Sequence, residues 1–553
     1  MLTDTDRGFR PQEAPRQPER GFPLGYISST STVVGHFPVL DSAVSSEIVL
    51  NGEHLRLTDV LLVARGGVRV ALAPAARQRI ARARAVIETI LASDRQVYGV
   101  NTGFGLLKDI RIPRDQLDAL QINLIRSHAA GVGSPLPAPA TRAMMLLRAH
   151  VLARGHSGVR PEVVETLLAH LNADLLPVVP EQGSIGASGD LAPLSHLALA
   201  LVGEGEAFLR GVRMKASAAL EKAGIAPLRL GPKEGLSLVN GTQLITAVGA
   251  LALMEAEELA VLADLAGACT LEALKGSHHA FEERIHALRP HAGQVQSAAN
   301  LRLLLEGSGI ARSHEDCGRV QDSYSLRCMP QVHGSAREGM RFTRSVLEIE
   351  VDAVTDNPIV FPEAGDVVSG GNFHGESPGL ALDCLAIATA TLGSISERRI
   401  DRLMNPVLSG LPPFLTRDAG VHSGLMMAHV TAAALVSENK VLCHPASVDS
   451  IPTEANQEDH VSMGPIAARK ARAVVQHVRQ VIAIEILSAC QALDLVAPLL
   501  PGRGVRAVHE AVRRAVPFME HDRIVADDLR VMDGLAADGS LRAAAEQAVG
   551  ALR

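Results

Sequence analysis

The chain has no tryptophan, only three tyrosines and eleven phenylalanines, so aromatics make up 3% of its 553 residues. A core of stacked rings is excluded. The 47% of hydrophobic residues must pack mainly as Ala, Leu, Val and Ile, a composition that favours helices. Six scattered cysteines (269, 317, 328, 384, 443 and 490) include no C-x-x-C pair, which suggests neither a disulfide framework nor a zinc knuckle and points to a reducing cytoplasm. The histidines show no convincing ligand spacing, and no metal is expected. No long basic block accompanies the formal net charge of −7, which argues against nucleic acid and for a small molecule as the partner. The most apolar run, 244–254, stops at Glu255, short of the roughly 18 residues of a membrane span, so no membrane partner is expected. The N-terminus alternates charge and proline with no secretory segment, and residues 1–24 read as a disordered tail.

Length and pattern predict a mainly α protein: a smaller N-terminal α+β region over 25–234, then a long central helix bundle with C-terminal helices over 235–553. Asn51-Gly52, between Glu47–Leu50 and Glu53–Leu57, signals a tight β-hairpin. Pro74 opens a helix to Ser93 with Ile80, Ala83, Val86, Ile87 and Ile90 at helical spacing. Gln96–Val100 reads as a strand. Helices are expected over about 113–130, 138–154 and 161–173, then over 235–275, 293–306, 336–354, 376–404, 425–442 and 463–495, with three shorter ones to the end. Helices this long and apolar usually find further cover in partner subunits.

Glycine, by contrast, is plentiful, and it crowds one serine in Gly183-Ser184-Ile185-Gly186-Ala187-Ser188-Gly189-Asp190. Three consecutive small residues, Ala187, Ser188 and Gly189, allow the chain to fold back so that the Gly189 nitrogen meets the Ala187 carbonyl carbon. Gly189 has no Cβ to block that approach. Ring closure with loss of the serine hydroxyl as water would give a 4-methylideneimidazole-5-one, an electrophile made from backbone alone and needing no external cofactor. A serine-hydrolase elbow requires G-x-S-x-G, and phosphate loops require other glycine spacings; neither matches. A plain glycine turn between helices is the competing reading. Asp190 is placed to N-cap the next helix, to about Val202, whose N-terminus would favour negative charge on the electrophile.

Other polar residues interrupt apolar or glycine-bearing sequence. Tyr26 lies near the tail, whereas Tyr98 and Tyr324 sit in loop sequence, where either could equally be a packed structural tyrosine. A phenol acting as a base at neutral pH must surmount a reference pKa near 10, and a nearby cation such as Arg327 would help. Arg327 could instead clamp a carboxylate or form a surface ion pair. Asn240 either caps or kinks its helix or supplies an amide to a developing oxyanion. His128 reads first as a core histidine, and Asn456-Gln457-Glu458-Asp459-His460 as a solvated cluster.

Taken in order, the segments 98–105, 127–131, 186–191, 240–243, 321–327, 369–374 and 456–460 resemble the aromatic amino-acid ammonia-lyases and aminomutases that carry a methylideneimidazolone, and most of all the branch acting on histidine. The likeness spans about 46–550. It implies a mostly helical homotetramer whose active sites each draw on three chains. In it Ala187, Ser188 and Gly189 form the prosthetic group, Tyr324 takes the β-proton and Arg327 holds the substrate carboxylate. Tyr98 and Asn240 lie near the amino group and the ring, Gln321 and Phe373 shape the site, and His128 and Glu458 address the imidazole. The implied reaction is elimination of ammonia from L-histidine to trans-urocanate. A buried Glu458 would be left unpaired by a phenyl ring, at a cost of roughly 1–3 kcal/mol. Alternatives are a tyrosine or phenylalanine lyase or 2,3-aminomutase of the same family, and a non-catalytic helical scaffold. His150, His156 and Glu454 depart from the family pattern and would alter substrate preference if they faced the pocket.

Overall fold

The computed structural model describes residues 47–553; the tail expected over 1–24 and Tyr26 lie outside the described residues. The chain opens with strand Glu47–Leu50, which pairs in parallel with Arg69–Leu72 instead of turning back as a hairpin. Local turn chemistry is present, since Gly52 has φ +73°, but the residues beyond it enter the helix Leu57–Arg65. There the Asp59 carboxylate accepts the Arg56 backbone N–H (3.0 Å) and pairs with its guanidinium (2.8 Å), a capping arrangement. That helix buries Leu57, Val60, Leu61 and Val63, which outweighs a two-stranded ribbon that is marginal by itself.

Helices Pro74–Ala92, Ala138–Ala153 and Pro161–Asn172 follow, each with proline in its first turn. Leu117–His128 is shorter than expected because Arg114–Gln116 forms a 3₁₀ turn. Gln96–Val100 is a turn and not a strand: Gly99 has φ +71°, and the Asn101 side chain accepts the Val97 N–H at 2.8 Å. Two small antiparallel sheets complete this half, one pairing Val132–Pro135 with Pro180–Gln182 and one ordering Leu175–Pro177, Glu206–Leu209 and Val212–Lys215.

The bundle is built from Gln243–Ala273, Met329–Glu350, Glu376–Met404, Met426–Leu442 and Gly464–Leu495. Gly464–Leu495 lies against both Glu376–Met404 and Gln243–Ala273. Glu376–Met404 and Gly464–Leu495 are long and apolar enough to cross a membrane by length and composition, but 67% and 72% of their apolar windows are buried inside the fold, which marks them as core helices. A buried ion pair ties the three together. The Arg399 guanidinium grips Glu485 at 2.6 and 2.8 Å, and the same carboxylate accepts hydroxyls from Thr270 (2.7 Å) and Ser396 (2.6 Å). Removing one partner of such a pair costs about 3–5 kcal/mol, because the other charge is stranded. The helix expected over 235–275 is two, Glu234–Val239 and Gln243–Ala273, broken at Asn240-Gly241-Thr242 where Gly241 takes φ +144°. Leu380 and Ile387 of Glu376–Met404, and Met427 and Val430 of Met426–Leu442, leave large apolar side chains exposed.

Candidate active site

Strand Pro180–Gln182 delivers the chain to the serine loop, whose backbone is left-handed at Gly186 (φ +81°), Ser188 (φ +50°) and Gly189 (φ +81°). The Gly189 N–H donates to the Gly186 carbonyl at 3.1 Å, and the Asp190 N–H to the Gly241 carbonyl at 2.7 Å. A Cβ at Gly189 would collide with that same Gly241 carbonyl. The tripeptide is therefore held in a tight turn against the break between two helices, with room for backbone only at position 189.

Asp190 stands at the N-terminus of Leu191–Leu201, as expected, but its side chain does not cap that helix. Its Oδ2 accepts the N–H groups of Leu244 (2.7 Å) and Ile245 (3.2 Å), capping the first turn of Gln243–Ala273. This capture explains the helix break at 240–242. Burial pushes the Asp190 carboxyl up to about 7, against the pull of those two hydrogen bonds. Arg148, fully buried and lowered to about 10 by that burial, donates to the Asn240 carbonyl (2.6 Å) and to Gln243 Oε1 (2.9 Å). The Asn240 peptide is thus fixed from behind, while its side-chain Oδ1 is buried without a hydrogen-bond partner among the described residues.

In front of the loop lies a cavity of about 740 Å³. Of the residues singled out from sequence, Tyr98, His128, Ala187, Ser188, Asn240, Phe373 and Glu458 line it, with Gly189 directly behind. Ser188 Oγ donates to Glu458 Oε1 at 3.2 Å, and Thr453 Oγ1 donates to Glu458 Oε2 at 2.7 Å. His128 Nδ1 meets the Leu124 carbonyl at 2.9 Å, which places its proton on Nδ1 and leaves Nε2 as an acceptor; burial lowers its pKa and keeps the ring neutral. Burial raises the Tyr98 phenol, so its hydroxyl keeps its proton.

Tyr324, Arg327 and Gln321 do not reach this cavity. They line a separate one of about 550 Å³, where Tyr324 is 72% exposed, with the Arg327 guanidinium 4.7 Å from its ring centroid. His150 is buried and bonded to Asp352 at 2.9 Å, and His156 bonds the Val360 carbonyl at 2.8 Å; neither lines the serine cavity. Glu454 does.

Sequence reasoning missed Lys108 and Asn357 on the cavity wall, and it included His374 and His460 in the resembling segments without giving either a role. His374, Glu376 and His460 also bring possible metal-ligating atoms within 4.8 Å of one another. The close spacing of His374 and Glu376, with only Gly375 between them, carried half of that signal, but His460 comes from far along the chain, where spacing is silent.

The residues fit a ring made from the tripeptide: position 189 admits no side chain, and an unpartnered Asn240 amide oxygen lies beside the loop. Comparison with known proteins bears on the chain as a whole. The sequence profile of the family described as aromatic amino acid lyase matches residues 55–514. A histidine ammonia-lyase of Anaeromyxobacter sp. (strain K) is 57% identical over 503 residues, 89% of this chain and 99% of the relative. The crystal structure of histidine ammonia-lyase from Trypanosoma cruzi superposes with TM-score 0.84 at 46% identity, covering 91% of this chain and 96% of that one. Tyrosine aminomutase from Streptomyces globisporus superposes with TM-score 0.87 at 37% identity, covering 92% and 100%.

Proposed function

The chain belongs to the aromatic amino acid lyase family, and on that premise we propose that it eliminates ammonia from L-histidine, without oxidation, to give trans-urocanate. It is a carbon–nitrogen lyase. The observation that carries the choice of substrate is the Glu458 carboxylate, held 3.2 Å from Ser188 Oγ in the serine cavity. A carboxylate there accepts an imidazole N–H, whereas a phenyl ring leaves it unpaired. The relatives above whose printed name is histidine ammonia-lyase point the same way.

Ammonia leaves poorly and the β-hydrogen of histidine is barely acidic, so a base alone is insufficient. A methylideneimidazolone formed from Ala187, Ser188 and Gly189 supplies an electrophile that turns the substrate amine into a better leaving group. The chain's own residues do the rest. Glu458 and the acceptor Nε2 of His128 orient the imidazole, and Phe373 shapes the wall. Tyr98, kept protonated by burial, presents a hydroxyl beside the amino group. The Asn240 side chain, its peptide fixed by Arg148, stands beside the tripeptide.

Tyr324 takes the β-proton and Arg327 clamps the substrate carboxylate, with Gln321 beside them. Because these three line a separate cavity of the chain, they reach the substrate from another copy, in a homotetramer with shared sites. The uncovered apolar side chains at 380, 387, 427 and 430 support association. Six free cysteines suit a reducing cytoplasm.

The test is release of urocanate from L-histidine, followed by near-ultraviolet absorbance, with wild type beside Tyr324→Phe. Wild type should form product and the variant should lose nearly all turnover. Product from tyrosine or phenylalanine, with none from histidine, would replace this reading with the aminomutase or lyase alternative, which the likeness to tyrosine aminomutase keeps worth assaying.

A further inference from the structure

Glu454 opens a run of three non-glycine residues in left-handed backbone: Glu454 (φ 48°), Ala455 (φ 51°) and Asn456 (φ 69°). Such conformations cost roughly 1–2 kcal/mol each, and they persist only where the surroundings enforce them. The run brings the Glu454 side chain onto the wall of the serine cavity, together with Glu458. The carboxylate packs directly against Gly105, in the space a side chain at that position would take. It nevertheless accepts no hydrogen bond and meets no cation among the described residues.

Carboxylates outnumber lysine and arginine on the wall around it. On its own loop it faces Glu458, and burial together with that charge pushes the Glu454 carboxyl upward. Packed against it is the 98–108 loop, with the Tyr98 phenol and Lys108, the one lysine on the wall; Lys108 is occupied by Gln457 Oε1 at 2.7 Å. From helix Leu117–His128 comes the neutral His128. Asp109 and Asp459 add two further carboxylates to the lining, and His374 and His460 add two imidazoles, His374 Nε2 lying 3.2 Å from the His460 carbonyl. A neutral imidazole offers one N–H and no charge, whereas an imidazolium offers two N–H donors and a full positive charge, and a cation between two carboxylates relieves their repulsion.

We infer that Glu454 is a second ring-recognising carboxylate which, with Glu458, makes the cavity select the imidazolium form of the substrate over the neutral ring and over uncharged aromatic rings. This rests on the reading of the cavity as the site for L-histidine. A positively charged ring also withdraws electron density from the side-chain carbon that must lose a proton, so recognition and activation act in one direction.

The test compares KM and kcat of wild type, Glu454→Gln and Glu454→Ser for L-histidine between pH 6 and pH 9, with 3-(2-thienyl)-L-alanine as a probe whose ring carries no charge. At pH 6 both variants should raise KM for L-histidine about tenfold, and the gap should close toward pH 9 as the free ring loses its proton. Turnover of L-histidine at pH 6 should fall together with the rise in KM, and KM for the thienyl probe should stay the same or fall. A KM gap of equal size at pH 6 and pH 9, or no gap in either variant, overturns the inference, because damage to the fold does not follow the titration of the substrate ring. Wild type that forms no urocanate would overturn the reading beneath it, and the inference with it.

Discussion

The Asp190 carboxylate accepts the backbone N–H of Leu244 at 2.7 Å, so the residue that follows the Ala187-Ser188-Gly189 turn caps the longest helix of the N-terminal side of the bundle. That helix, Gln243–Ala273, is buried along nearly its whole length. The turn is thereby anchored to the rigid part of the molecule, and positional precision at Ser188 derives from core packing more than from the loop itself.

Replacement of Ser188 by alanine should leave the fold intact and remove the reaction. The expected outcome is an intact mass without the deficit of two waters expected for wild type, and a fall in turnover of more than about a thousandfold. Full turnover by the variant would defeat the assignment of the tripeptide.

Gly189→Ala tests the cradle. The added methyl must occupy space held by the Gly241 carbonyl, at a backbone angle of φ +81°, where an L-residue costs roughly 1–2 kcal/mol before any clash. Ring formation should fail in most chains, read as loss of both the mass deficit and the near-ultraviolet absorbance, with helical circular dichroism retained.

Asp190 gives a pH signature. Its carboxyl titrates near 7 in the fold, against an ordinary 3.8. Between about pH 4 and about pH 7 the unfolded chain therefore releases a proton that the folded chain retains, and this residue's contribution to stability falls as pH rises through that window. Asp190→Asn keeps an oxygen to accept from Leu244 and Ile245 but cannot titrate. Relative to wild type, the variant should gain stability from pH 4 to pH 7, by a few kcal/mol at about 1.4 kcal/mol per pH unit, and the difference should be constant above pH 8. Melting temperatures of the pair across this range provide the check, and a gap independent of pH would refute the buried, protonated carboxyl.

Shared sites predict complementation. Ser188→Ala and Tyr324→Phe should each be inactive alone, yet mixing the two, unfolding and refolding them together, should restore about a quarter of wild-type activity if chains assort at random in a symmetric oligomer. No recovery from mixed chains of confirmed assembly would place both residues in one chain's site.

Much of the architecture was readable from periodicity. Glu376–Met404 falls where the apolar spacing put it, and Pro74–Ala92 begins at its proline. What escaped depended on partners distant in sequence. The Asn51-Gly52 turn signal was genuine, but Glu47–Leu50 found a parallel partner at Arg69–Leu72, which no local rule foresees. The break at Asn240–Thr242 stood in the sequence only as one alternative for Asn240, because both flanks are strong helix formers and the capping carboxylate comes from Asp190. In the site, glycine crowding around Ser188 was legible as chemistry. The gathering of Tyr98, His128 and Glu458 was reached through family resemblance, since each alone suits an ordinary structural role. Glu454 was noticed only as a departure, and its place on the cavity wall follows from backbone angles that sequence does not encode visibly.

That the Ser188 turn and the Tyr324–Arg327 helix line separate cavities of one chain has a bearing on when the enzyme becomes dangerous to its surroundings. On the proposed arrangement, a lone subunit holds the tripeptide that would form the reactive group but lacks the base and clamp to use it. Newly made chains would then carry a latent warhead whose trigger is concentration: dilution disarms it, and association arms every site at once.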